Sequence, residues 1–82
     1  GWNLLTIRRE ASILDTIEPG SQVYFTHSYV APVTDDTVAV TDHGETFAAV
    51  VQHGQVGGVQ FHPEKSGEIG LQILRNFVEL AG

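Results

Sequence analysis

The 82 residues include no cysteine and no methionine. Without cysteine the chain has no disulfide framework, no thiolate metal site and no cysteine nucleophile of its own. Basic residues are scarce too. Arg8, Arg9, Lys65 and Arg75 stand against ten acidic side chains, for a net charge of −6. Binding to phosphates needs clustered Lys and Arg, so this balance argues against nucleic acid and against an anionic membrane. No apolar run approaches the ~20 residues of a membrane span. Nor does a basic-then-apolar leader follow Gly1. Together these absences point to the cytoplasm. What is present is 41% apolar residues, ample for a globular core and too many for a disordered segment. The length suits one small unit rather than two independent cores. The opening Gly1-Trp2-Asn3, in place of Met, fits either removal of an initiator Met or a piece of a longer protein.

Trp2, Leu4, Leu5 and Ile7 read as a short strand. In residues 8–18 the spacing of Ile13, Leu14 and Ile17 predicts a short amphipathic helix, broken by Pro19-Gly20. Residues 22–30, dense in β-branched and aromatic side chains, read as a strand. Residues 37–41 and 46–52 are strand-like, and Asp42-His43-Gly44-Glu45 forms a hairpin loop between them. Residues 56–61 form a further strand, in which Gly57-Gly58 signals close backbone approach. From Ser66 the period changes. Ile69, Ile73, Leu74, Phe77 and Val78 predict a helix to about Leu80, with Ser66 as N-cap and Glu68 in its first turn. The fold class is α/β: a mixed sheet of about four or five strands with two helices, one unit over residues 1–82. Two helices are too few to cover both faces of such a sheet, and ordering costs on the order of 1.5 kcal/mol per residue. An uncovered sheet face or edge is therefore expected, to be met by a partner, a second copy in a homo-oligomer, or a missing segment.

Residues 58–66, Gly-Val-Gln-Phe-His-Pro-Glu-Lys-Ser, carry the clearest chemistry. A strand ends at His62, and Glu64 follows two residues later across a stiffening Pro63. In extended backbone these side chains share one side, so Glu64 can accept a hydrogen bond from one imidazole nitrogen and leave the other as a base. The plainer reading, a strand-end histidine beside a solvated glutamate, stays open on spacing alone. His27, His43, His53 and His62 lack the spacing of a zinc site, so no metal is expected. The glycines from Gly54 to Gly58 lack the Lys-Ser/Thr of a phosphate loop, and no cofactor is expected. Tyr24, Phe25 and Tyr29 read as core and sheet-face residues rather than base-stacking platforms.

The run from Gly58 to Ser66 resembles the His-x-Glu signature of class I (triad-type) glutamine amidotransferases. Tyr24-Phe25-Thr26-His27-Ser28-Tyr29 resembles the family's strand beside the glutamine pocket, and Gly1-Trp2-Asn3 the segment that opens this region. Lys65-Ser66-Gly67, with Gly70-Leu71, Leu74 and Asn76-Phe77, is most similar to one branch, the glutaminase subunits of imidazole glycerol phosphate synthase. The resemblance implies the C-terminal part of that family's three-layer fold. It implies that His62 is the general base toward a cysteine thiol and that Glu64 orients it. His27, Ser28 and Tyr29 would border bound glutamine. Tyr24 and Lys65 would lie toward the face that docks on a (β/α)8-barrel cyclase subunit, through which ammonia passes. The family's nucleophilic cysteine and oxyanion donors belong to a strand-to-helix elbow upstream of the matched region. Ser28 and Ser66 lie in no Gly-x-Ser-x-Gly setting and do not replace that cysteine. The chain alone is thus expected not to hydrolyse glutamine, either as part of a larger glutaminase or as a truncated, homo-oligomeric binding module with relict chemistry.

Overall fold

The computed structural model describes residues 1–25 and 31–81. Among them are six strands: β1 (Trp2–Leu4), β2 (Thr6–Ile7), β3 (Gln22–Tyr24), β4 (Thr37–His43), β5 (Glu45–His53) and β6 (Val56–Val59). One α-helix, α1 (Gly67–Ala81), follows them, and short 3-10 turns form at Ser12–Leu14 and Pro63–Lys65. The class is α/β, as the sequence implies. The expected mixed sheet is replaced by two sheets, β1–β3 and β2–β4–β5–β6. Every pairing in them is antiparallel. For β4, β5 and β6 the cause is connection length. Gly44 alone separates β4 from β5, and Gly54-Gln55 separates β5 from β6. A parallel pair would need a crossover of roughly a dozen residues or more.

The helix expected over residues 8–18 does not form; that stretch holds only the 3-10 turn Ser12–Leu14. Its backbone groups are claimed from a distance. Gln52 Oε1 accepts the Ile13 N–H at 2.9 Å. The buried Asn76 amide donates to the carbonyls of Ile13 (3.0 Å) and Asp15 (2.9 Å). Thr16 then takes φ = 64°, outside the right-handed helical region. Ile13, Leu14 and Ile17 are nonetheless core residues, so their spacing marks burial without marking conformation. The strand expected over 22–30 appears as β3, and residues 26–30 lie outside the described residues.

The core gathers Leu5, Ile13, Val23, Phe25, Val38, Phe47, Val50, Phe61 and Ile73, among others. Phe47 to Val50 of β5 are buried one after another, and so are Thr37 to Thr41 of β4. Unbroken burial along a strand means that both of its faces are covered. The bare sheet face expected from the helix count is thus absent at the centre of the sheet. Exposed apolar groups appear elsewhere, at Trp2 and Leu4 of β1 and at Leu71, Leu74 and Val78 of α1. The helix turns Ile73 and Leu80 fully inward with Ile69 and Phe77 half-buried beside them, so Leu74 and Val78 fall outside the face predicted for them. Close approach at Gly57 is borne out. A Cβ there would lie 2.7 Å from the tip of Ile13, with Leu80 and Phe77 next nearest. That absence of a side chain lets the helix and the 3-10 turn meet over β6.

Candidate active site

The site starts from an anchored aromatic. Phe61 is buried and meets Phe25 edge-on at 5.9 Å, and Phe25 in turn meets Phe47 at 5.3 Å. The next residue, His62, is still extended (φ −93°, ψ 100°), and Pro63 opens the 3-10 turn, a position where its missing N–H costs nothing. The turn swings Glu64 back so that His62 Nδ1 and Glu64 Oε2 lie 2.8 Å apart. The two side chains therefore meet as the sequence suggests, through a turn rather than through the extended i, i+2 geometry. A carboxylate only accepts, which puts a proton on Nδ1. The hydrogen bond from His62 holds the Glu64 carboxyl below the usual carboxylate range, and a bond from its own backbone N–H adds to this. The His62 side chain is 37% exposed and that of Glu64 61%, so the pair borders solvent.

Behind the pair stands a backbone framework. The His62 N–H donates to the Tyr24 carbonyl at 2.9 Å. Ser66, expected as a helix cap, is buried and spends its hydroxyl differently. Its Oγ donates to the His62 carbonyl at 2.6 Å and accepts the Tyr24 N–H at 2.9 Å. The first turn of α1 packs directly on the same loop. A Cβ at Gly70 would fall inside the van der Waals envelope of the Pro63 carbonyl oxygen, and only hydrogen fits there.

Tyr24 and Lys65, which the family resemblance places toward a docking face, are brought together. The Lys65 ammonium lies 5.8 Å from the Tyr24 ring centroid, within cation–π range. Trp2, 52% exposed, meets Tyr24 edge-on at 5.8 Å and completes an aromatic-cationic patch. His27, Ser28 and Tyr29, the residues expected to border glutamine, lie outside the described residues. No group of three or more His, Asp or Glu side chains that could hold a metal ion occurs among the described residues. Among the same residues no helix is long and apolar enough to cross a membrane. A separate cavity of about 670 Å³, lined by Ile7, Leu14, Ile17 and their neighbours, shares no residue with the His62–Glu64 pair.

His62, three residues beyond the end of β6, is thus held beside Glu64 on a loop tied to β3 and α1. The family model of class I glutamine amidotransferases matches residues 1–81. The chain belongs to that family. Among curated proteins it is similar to the imidazole glycerol phosphate synthase subunit HisH of Xanthomonas euvesicatoria pv. vesicatoria (strain 85-10). The two are 52% identical over 81 residues, 99% of this chain and 40% of that protein. The HisH subunit of Xanthomonas campestris pv. campestris (strain 8004) is 51% identical over 81 residues, again 99% and 40%. That of Xylella fastidiosa (strain Temecula1 / ATCC 700964) is 49% identical over 80 residues, 98% and 40%. The chain thus spans 40% of the length of these HisH subunits. Two residues gain importance only from the structure. Trp2 is visible in sequence as an aromatic near the start, but its partner Tyr24 is a cross-strand neighbour. Ser66 looks like any helix-capping serine until its hydroxyl is followed to His62 and Tyr24.

Proposed function

We propose that this chain is the C-terminal part of the ammonia-supplying glutaminase subunit of imidazole glycerol phosphate synthase, in histidine biosynthesis in the cytoplasm. The observation that carries the reading is the His62 Nδ1–Glu64 Oε2 contact of 2.8 Å, in a chain that matches the family over residues 1–81. In this role His62 Nε2 takes the proton of a cysteine thiol held by the rest of the subunit. The thiolate attacks the carboxamide carbon of glutamine, and the same imidazolium then protonates the departing ammonia, leaving a thioester. Water, deprotonated by Nε2, hydrolyses the thioester to glutamate and restores the thiol. Glu64 holds the tautomer and stabilises the transient imidazolium. His27, Ser28 and Tyr29 border the substrate. Tyr24 and Lys65, together with Trp2, face the (β/α)8-barrel cyclase subunit that receives the ammonia.

With no cysteine in its sequence, the chain supplies base and orienter but no nucleophile, and is inactive alone. The test is a graft in which these residues replace the matching segment of the Xanthomonas euvesicatoria subunit. Ammonia release from glutamine by the grafted subunit with its cyclase supports the reading. A folded, cyclase-bound graft that releases none counts against it. The exposed Leu71, Leu74 and Val78 of α1 favour a second reading of the lone chain, a homo-oligomeric binding module. Light scattering separates the two. A discrete dimer or tetramer supports the module, and a monomer or a heterogeneous aggregate supports the incomplete subunit.

A further inference from the structure

Ser66 stands at the junction of the Pro63–Lys65 turn and α1, and it is 2% exposed. Its partners are set by the β1–β3 ladder. Gly1 and Phe25 exchange both backbone bonds, the Gly1 nitrogen to the Phe25 carbonyl at 2.7 Å and the Phe25 N–H to the Gly1 carbonyl at 2.9 Å. The next pair along, Trp2 and Tyr24, is therefore the non-hydrogen-bonded kind, and both peptide groups of Tyr24 point away from β1. They point at the His62 loop. The Tyr24 carbonyl takes the His62 N–H at 2.9 Å. The Tyr24 N–H reaches the Ser66 hydroxyl at 2.9 Å, which passes its own proton to the His62 carbonyl at 2.6 Å.

We infer that Ser66 is a positioning residue for the His62–Glu64 pair, its hydroxyl closing a ring of hydrogen bonds that pins the His62 peptide to Tyr24 at both ends. The inference rests on His62 serving as the base. A hydroxyl suits this post because it donates and accepts at once, whereas a residue without it strands the part-buried Tyr24 N–H and loosens the His62 carbonyl. Glu64 lies on the turn between the two pinned positions, so the 2.8 Å contact to Nδ1 inherits the rigidity of the ring. Proton transfer is sensitive to such placement, while glutamine affinity, drawn from other residues, is not.

The test uses the grafted subunit bound to its cyclase. Ser66→Ala lowers kcat by about 10- to 100-fold and leaves KM for glutamine within about twofold. Ser66→Thr, which keeps the hydroxyl, recovers most of kcat. A folded Ser66→Ala graft with kcat near that of the parent overturns the inference. If Ser66→Ala does not fold, hydrogen exchange in the parent decides. A protected Tyr24 amide together with an active Ser66→Thr graft supports the ring, and an unprotected Tyr24 amide overturns it. His62→Ala separates this result from the reading it rests on. Activity surviving that change removes His62 as base, whereas activity lost in His62→Ala and kept in Ser66→Ala removes only the role of Ser66.

Discussion

Among the described residues two histidine–carboxylate pairs lie at nearly equal distance, His62–Glu64 at 2.8 Å and His53–Asp36 at 3.0 Å. By distance alone they are the same object. They differ in what holds them. The side chains of His53 and Asp36 are 83% and 51% exposed, and they join the end of β5 to the loop before β4. His62 follows the buried Phe61 and is tied through its backbone to β3 and to the buried Ser66. An exposed ion pair is screened by water and gains little over its separated partners. The backbone of Asp36 is also tied, by the Gln52 N–H at 2.9 Å, and Glu64 is as open to water as Asp36, so the pairs differ chiefly in the histidine, 37% exposed at His62 and 83% at His53.

The contrast is put at risk most directly by removing each histidine from the grafted subunit. His62→Ala should lower glutaminase kcat by about 10³-fold or more, the scale for loss of a general base, and His53→Ala should leave it within experimental error. Equal effects would erase the distinction. Glu64→Gln should cost about 10²-fold in kcat by unsetting the tautomer of His62. It should also alter the acid limb of stability. Because folding holds the Glu64 carboxyl below its ordinary range, the stabilisation is present above the unfolded pKa and disappears as pH falls through the folded value. Thermal melts of parent and Glu64→Gln should therefore differ near neutrality and converge in strong acid.

Gly70→Ala tests the support itself. Helix propensity alone would make alanine stabilising by about 1 kcal/mol. The new Cβ, however, meets the backbone carbonyl of Pro63, which has no room to yield, and overpacking of this kind costs about 3 kcal/mol. The clash should win, and denaturant melts of the graft should show net destabilisation. The smallest effect belongs to the other pair. Asp36→Asn should change stability by less than about 0.5 kcal/mol in the same melts.

How much of this was legible beforehand depended on the range of the interactions involved. Helix α1 was readable because its burial repeats within the segment, from Ile69 through Ile73 to Leu80. The pairing of His62 with Glu64 was readable because two residues separate them and proline limits the path between. The 3-10 turn at Ser12–Leu14 was not. Ile13, Leu14 and Ile17 have helical spacing, and the groups that forbid the helix are Gln52 and Asn76, far along the chain. The all-antiparallel pairing depended on which strands meet, and β1 finds β3 across a segment that local patterns describe poorly. Ser66 was misread for the same reason. Its capping preference is local, while its actual partner Tyr24 lies 42 residues away.

That separation has a kinetic consequence. β4, β5 and β6 are joined by connections of one or two residues, and hairpins of that kind form in roughly 1–10 μs. The Tyr24–Ser66 bond must instead close a loop of 42 residues, and it forms only after β3 has docked, because loop-closure entropy rises with length. The meander should therefore assemble early and the docking of the His62 loop late. Pulse-labelled hydrogen exchange in the graft should find the amides of β4 and β5 protected before that of Tyr24. The order runs backwards on opening. A partial unfolding that releases residues 62–66 frees His62 from Tyr24 while most of the sheet still stands.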